Sequence, residues 1–280
     1  MIIGAHVSVQ GGIENGPINA NKLGISAIQV FSKNQRQWNG KPLSNEGVEK
    51  WFEGLETYGI KHKISHASYL VNLCNPDQEK REKSILSMVD ELERAERLKL
   101  SNVVLHPGSH LKQGEEWGLK TIADSINKIH KQCSGFDTRI TLENTAGQGS
   151  NLGFRFAHLG SILKQVSEPE RLAICIDTCH AFSAGYDMRT EESYEEFWAE
   201  FSIEVGIEFL QVFHLNDSKN PLGSHIDRHE KIGKGQLGLE PFRRLLADSR
   251  FKDIPAILET PSTDGGYEVD IETLESLQPK

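Results

Sequence analysis

The chain has 280 residues, 37% of them hydrophobic and 25% charged, and a formal net charge of −9. That length suits one α/β barrel of about 250 residues, and no run approaches the roughly 20 apolar residues of a membrane helix. The acidic balance argues against broad attraction to nucleic acid, although a local patch of opposite sign is not excluded.

Residues 1–6 have neither the basic region nor the apolar run of a signal peptide and read as a first strand. Further strands are expected near 26–32, 62–66, 102–106, 139–143, 172–177, 209–214 and 255–259, each followed by a helical pattern. The clearest helix follows the third strand. Asn75 is placed to cap it and Pro76 suits its first position. Ile85, Val89, Leu92 and Ala95 then recur at helical spacing, with charges on the other face. A second helix runs through Ile122, Ile126, Ile129 and Cys133, and the last lies around Val269 to Leu277. Eight βα repeats of about 35 residues close naturally into a (β/α)8 TIM barrel; an open, doubly wound sheet is the runner-up. With no linker or compositional break, residues 1–280 read as a single domain. The longest loops are expected after strands two, six and seven, with the Gly-rich segment 215–238 reaching over the active face. Cys74, Cys133, Cys175 and Cys179 are too scattered for a disulfide framework, which points to reduced thiols and a cytoplasmic location.

Six of the strand-like runs end on a metal-capable residue: His66, His106, Glu143, Asp177, His214 and Glu259. In a parallel α/β protein such tips face one end of the molecule. Singly, each reads as a hydrogen-bonded or salt-bridged structural residue. As a set they are harder to satisfy, because desolvated, unpaired charges cost several kcal/mol each, whereas a well-formed zinc site returns about 10–16 kcal/mol. His180, three residues past Asp177, and the i, i+2 pair Asp227 and His229 offer further ligands from loops. Mixed imidazole and carboxylate donors suit zinc, with manganese or iron as alternatives. Three divalent cations against Glu143, Asp177, Asp227 and Glu259 would leave the pocket near about +2, fit for a phosphate. His6 is a candidate supporting residue. His62 and Cys175 read as structural, Cys179 is undecided, and His110 and His225 lie near the site in sequence.

The loop Lys33-Asn34-Gln35-Arg36-Gln37-Trp38 gathers two cations, three amides and an indole. It reads either as a solvated loop with a packed tryptophan or as a nucleic-acid probe. Tyr69-Leu70, just past His66, is either core packing or a wedge for a distorted base stack.

The runs FSKNQRQW, HPGSH, LENTAGQGSNLG, CIDTCHAFSAGYD, HLNDSK and DRHEKIGKGQLG, in this order, make the chain resemble the endonuclease IV family of metal-dependent apurinic/apyrimidinic endonucleases over nearly its whole length. Ala67 departs from the members that carry Asp after His66. The resemblance implies a TIM barrel holding three Zn2+, with Mn2+ an alternative at some positions. It assigns His66, His106 and Glu143 to one ion. Glu143 bridges to a second, with Asp177, His214 and Glu259, and His180, Asp227 and His229 hold the third. Arg36, Tyr69 and Leu70 take the DNA-penetrating positions. The implied activity is DNA repair: a hydroxide held by the metals hydrolyses the phosphodiester 5′ to an abasic site in duplex DNA, leaving a 3′-hydroxyl and a 5′-deoxyribose phosphate. Glu143 and Glu259 are the catalytic carboxylates, trimming of blocked 3′ ends is expected alongside, and the protein is expected to act as a monomer away from membranes. A metal-dependent sugar isomerase or epimerase on the same barrel, and a non-catalytic binder of damaged DNA, are the competing readings. The loop ligands and the 33–38 loop favour the nuclease.

Overall fold

Short apolar runs separated by amphipathic helices give each strand two faces to bury, and a closed parallel barrel buries both. The structure, a computed structural model, describes residues 1–263 and 265–279. Its strands are β1 (Ile2–His6), β2 (Ala27–Val30), β3 (His62–His66), β4 (Asn102–Leu105), β5 (Arg139–Glu143), β6 (Leu172–Asp177), β7 (Leu210–His214), a two-residue antiparallel pair β8 (Asp217–Ser218) and β9 (His229–Glu230), and β10 (Pro255–Leu258). The barrel closes in the order β1-β2-β3-β4-β5-β6-β7-β10, all parallel, as the repeat pattern predicts. Around it lie α1 (Asn15–Leu23), α2 (Asn45–Thr57), α3 (Gln78–Arg97), α4 (Glu115–Gln132), α5 (Phe156–Gln165), α6 (Thr178–Ala184), α7 (Glu191–Glu204), α8 (Glu240–Ala247) and α9 (Gly266–Leu277). Among the described residues no helix is long and apolar enough to cross a membrane.

The core has two layers. Ala27, Ile64, Val104, Cys175, Val212 and Ile257 fill the barrel interior, while Ile28, Val103, Leu105, Ile140, Leu142, Ile174, Ile176 and Phe213 pack outward under the helices. Strand alternation then fixes the tips. Two residues beyond an inward residue the chain faces inward again, so Ile64 leads to His66, Val104 to His106, Cys175 to Asp177, Val212 to His214 and Ile257 to Glu259. Gly4 is required by the same tight interior: a Cβ there would lie 2.4 Å from the Ala27 carbonyl oxygen.

Four details differ from the sequence reading. Helix α3 is capped by Asp77, whose carboxylate accepts from the backbone N–H groups of Glu79 and Lys80 (3.0 and 3.2 Å), while Asn75 turns the chain before it by accepting from Asp77 N–H. A carboxylate at a helix N-terminus gains from the dipole as well as the hydrogen bond. On α3, Met88 takes the core position and Val89 is half-buried, while two charged residues, Glu91 and Arg94, are buried. No long loop follows β6, because Asp177 itself caps α6 by accepting from His180 N–H at 2.8 Å. The last helix begins at Gly266, three residues before Val269. All four cysteines are buried and free.

Candidate metal centre

The barrel mouth gathers the nine residues into three donor groups, each with its ligand atoms within 4.8 Å of one another: His66, His106 and Glu143; Glu143, Asp177, His214 and Glu259; and His180, Asp227 and His229. Glu143 is common to the first two. Its Oε2 lies 3.2 Å from His66 Nε2 and 3.3 Å from His106 Nε2, and its Oε1 lies 2.9 Å from His214 Nδ1. His214 Nδ1 also stands 3.3 Å from Glu259 Oε2 and 4.0 Å from Asp177 Oδ2. In the third group, Asp227 lies 3.2 Å from His180 Nε2 and 3.5 Å from His229 Nε2.

Four of the five histidines spend one ring nitrogen on a fixed acceptor and turn the other inward. His66 Nδ1–H donates to the Ala67 carbonyl (2.8 Å), His180 Nδ1–H to the Asn144 carbonyl (3.0 Å) and His229 Nδ1–H to the Glu259 carbonyl (3.1 Å). His214 Nε2–H donates to Gln29 Oε1 at 2.8 Å. Such outer hydrogen bonds set the tautomer and point the remaining lone pair at a cation. Nε2 of His180 and Nε2 of His229 are buried without a hydrogen-bond partner, and a buried nitrogen left this way carries a desolvation cost that a bound metal removes. The donor set therefore fits divalent cations of the zinc or manganese type.

The electrostatics follow. Burial works to raise the Glu143 carboxyl, but the imidazoles of His214, His106 and His180 outweigh it and hold it well below the usual range. Glu259 is likewise held down against burial, by His214 and by its contact with His6, and Asp227 by His180, His229 and His106. The partners move the other way. Burial works to lower His214 and His180, yet Cys175, Glu259 and Glu143 raise the first and Asp177, Asp227 and Glu143 raise the second, both well above the ordinary value. Protons on these imidazoles balance the carboxylates wherever cations do not.

The third group sits partly outside the barrel. His180 lies in the first turn of α6, not in a loop. Asp227 and His229 lie on the returning limb of the β7–α8 connection, where Ser218 pairs with His229 in the β8–β9 ladder. Two buried carboxylates hold that limb. Asp217 accepts from Ser218, Gly235 and Leu237 N–H groups; a Cβ on Gly235 would lie 2.3 Å from the Ser218 carbonyl oxygen, so the close approach needs glycine. Asp270 on α9 accepts from Lys231 Nζ (3.1 Å), Ile232 N–H (2.9 Å) and Thr260 Oγ1–H (2.5 Å), joining the limb to the end of β10 beside Glu259.

Arg36 and Tyr69 are exposed at the rim, Tyr69 at 64%, with Leu70 beside them at 37%. Ordinary core packing of the tyrosine and leucine is thereby excluded. Partial burial and the nearby Glu259 and Glu143 carboxylates push the Tyr69 phenol up to about 12, so it is neutral. A groove of about 270 Å³ runs between Tyr69, Leu70, His66 and His106, and one of about 830 Å³ runs past His6, Phe31 and Gln35. Lys33 is a correction. Its side chain is fully buried and donates to Asp90 Oδ2 (2.7 Å) and to the Ser87 carbonyl (3.1 Å), so it is a strut of the 33–38 loop and no probe. Glu91 accepts from Ser32 Oγ–H (2.7 Å) and Ser68 N–H (3.2 Å), and Ser68 Oγ–H donates to the Gln35 carbonyl (2.8 Å). One carboxylate on α3 thus holds the Arg36 loop and the Tyr69 loop together.

Sequence reading missed three amides. Gln29, the inward tip of β2, donates to Glu259 Oε1 at 2.6 Å and accepts from His214. Asn144 accepts from Asp177 N–H (2.6 Å), and Asn216 donates to Asp177 Oδ2 (2.7 Å) and accepts from Glu259 N–H (2.9 Å). The available signals were a glutamine at inward parity in an apolar strand and asparagines one or two residues past a ligand. His6 occupies the expected supporting position, its Nδ1–H donating to Glu259 Oε1 at 3.1 Å. His225 bonds the Ala146 carbonyl and His110 accepts from Gly114 N–H, and neither belongs to a donor group.

The chain matches a family model described as xylose isomerase-like TIM barrel over residues 18–277. It is 47% identical over 99% of its length, and 98% of the relative's, to a protein named probable endonuclease 4 from Campylobacter concisus. Among solved structures, endonuclease IV from Thermus thermophilus superposes with a TM-score of 0.88 at 34% identity, covering 99% of this chain and 98% of that one. A D-tagatose 3-epimerase-like protein superposes with a TM-score of 0.74 at 19% identity, over 99% and 97% of the two chains, a likeness of fold alone.

Proposed function

Because the chain belongs to the endonuclease IV family of xylose isomerase-like TIM barrels, we propose that it is a DNA-repair endonuclease that cuts the phosphodiester 5′ to an abasic site. The products are a 3′-hydroxyl and a 5′-deoxyribose phosphate, and the same site trims blocked 3′ ends. The observation that carries the reading is the shared carboxylate: Glu143 belongs to two donor groups at once, with a third group of His180, Asp227 and His229 beside them. A sugar isomerase on this barrel has no use for that third group.

His66, His106 and Glu143 would hold one zinc ion, Glu143, Asp177, His214 and Glu259 a second, and His180, Asp227 and His229 a third. When bound, the cations supply Lewis acidity, activating water, neutralising the phosphate and stabilising the leaving 3′-oxygen. The chain's own residues do the rest. Glu259 Oε1 is engaged by Gln29 and His6 and Oε2 faces His214, so Glu259 serves to hold a cation and is a poor general base. Asn216 and Asn144 fix Asp177. At the rim, Tyr69 and Leu70 are exposed for insertion where a base is missing, and Arg36 is exposed beside them to meet phosphate. Flipping an abasic nucleotide costs less than flipping an intact one, which makes the damage itself part of the recognition.

The test is a nicking assay with an abasic duplex, an intact duplex and a ketose sugar, run on protein of measured metal content. Incision of the abasic duplex alone is expected. Binding of that duplex without cutting, in a fully metallated sample, would reduce the protein to a damage binder.

A further inference from the structure

A fourth donor group overlaps two of the other three. Asp177, Cys179 and His229 also bring a ligand atom each to within 4.8 Å of one another. Cys179, the second residue of α6, is fully buried, and its Sγ lies 3.6 Å from the Arg228 carbonyl oxygen, on the limb that carries His229. His229 Nε2 stands 3.6 Å from Asp177 Oδ2 and has no hydrogen-bond partner. Of the three, only His229 reaches the surface, its side chain 17% exposed.

We propose that Asp177, Cys179 and His229 form an inhibitory site for a soft divalent cation, filled only by drawing Asp177 and His229 away from the donor groups that serve catalysis. A sulfur ligand selects cadmium, mercury or excess zinc over magnesium and manganese, which prefer oxygen. As the sulfur–metal bond forms, the Cys179 thiol proton passes to solvent. His229 has one free ring nitrogen, Nε2, so it cannot serve this group and the third donor group at once. The inhibitory consequence rests on the nuclease reading; the binding site does not.

Cadmium chloride is the probe. Titrated into metal-stripped protein, it is expected to raise an ultraviolet thiolate-to-cadmium absorption band at one equivalent of sulfur. The band should vanish in Cys179→Ser and persist in Cys175→Ser. In the nicking assay on zinc-loaded protein, the cadmium concentration giving half inhibition should rise at least tenfold in Cys179→Ser. Manganese chloride should produce neither effect. Absence of the band from the wild-type protein, its survival in Cys179→Ser, or an unchanged cadmium sensitivity in that variant overturns the proposal. The band is read without DNA, so failure of the nuclease reading leaves it standing, and an active nuclease without the band sinks this site alone.

Discussion

The metal centre and the rim probes are built in opposite ways. The centre is largely buried and local: each donor sits at a strand end or within a few residues of one, and four of the five histidines are oriented by a carbonyl or amide. The probes are exposed, and what holds them is remote, Glu91 on α3 reaching both loops from a different element. A closed barrel supplies the first kind of rigidity through strand parity. The second kind must be added by helices packed behind the loops. If this contrast is right, damage to the centre should change metal content and chemistry, and damage to the rim should change binding alone.

The largest effect is expected at the shared carboxylate. Glu143→Gln keeps the volume and removes the charge that faces His66, His106 and His214. Incision should fall at least about a thousandfold, roughly 4 kcal/mol of barrel-mouth transition-state stabilisation, with loss of at least one metal per chain by elemental analysis. A variant that kept its full metal complement and cut normally would remove Glu143 from the centre. Next is Gln29→Leu, which strands His214 Nε2–H and leaves Glu259 Oε1 with His6 alone, all nine donors staying in place. A loss of about 10–100-fold in metal affinity or activity is the usual size for an outer partner. Equilibrium metal competition reads it, and no change would mean that the strand tips orient themselves.

The rim variants sharpen the comparison from the other side. Tyr69→Ala should weaken binding to abasic duplex about tenfold, near the lower end of aromatic–base stacking energies, with intact duplex and metal content unaffected. Equal losses on both duplexes would end the wedge role. Glu91→Gln should raise KM about threefold at constant kcat, within the cost of one weakened charged hydrogen bond. A fall in kcat or in bound metal would show that the loops and the centre are one mechanical unit.

How much of this was legible in sequence depended on the same division. The eight strands and the six donors at their ends were readable because a two-residue alternation leads from Ile64 to His66 and from Ile257 to Glu259 without reference to anything distant, whereas His180, Asp227 and His229 rested on short spacings near them. The burial of Lys33 was not readable. Nothing within the 33–38 run says that Asp90 and Ser87, more than fifty residues away, will surround its ammonium. The α3 cap was misplaced for a subtler reason: Asn75 and Asp77 are both good caps, and only the geometry of the turn decides which carboxyl or amide faces the free N–H groups.

A histidine outside the centre isolates what the carboxylates do there. His130, in the last turn of α4, is 2% exposed, and neither of its ring nitrogens has a hydrogen-bond partner among the described residues. Glu168 is no closer than 4.0 Å, and the Arg171 guanidinium donates to the His130 carbonyl. Burial, helped by that positive charge, lowers its pKa to about 4, whereas His214 and His180, buried just as deeply among carboxylates, are raised. The sign for stability follows. Between about pH 6.5 and pH 4 the unfolded chain takes up a proton at this position that the folded chain refuses, so stability falls as the solution is acidified through that window and levels off below it. The limit is about 3 kcal/mol. Chemical denaturation of wild type and His130→Met in parallel, from pH 7 to pH 4, should show a shallower decline in the variant with equal incision at neutral pH. Parallel curves would mean that His130 takes up its proton in the folded state, and that burial without a carboxylate is not enough to depress an imidazole in this barrel.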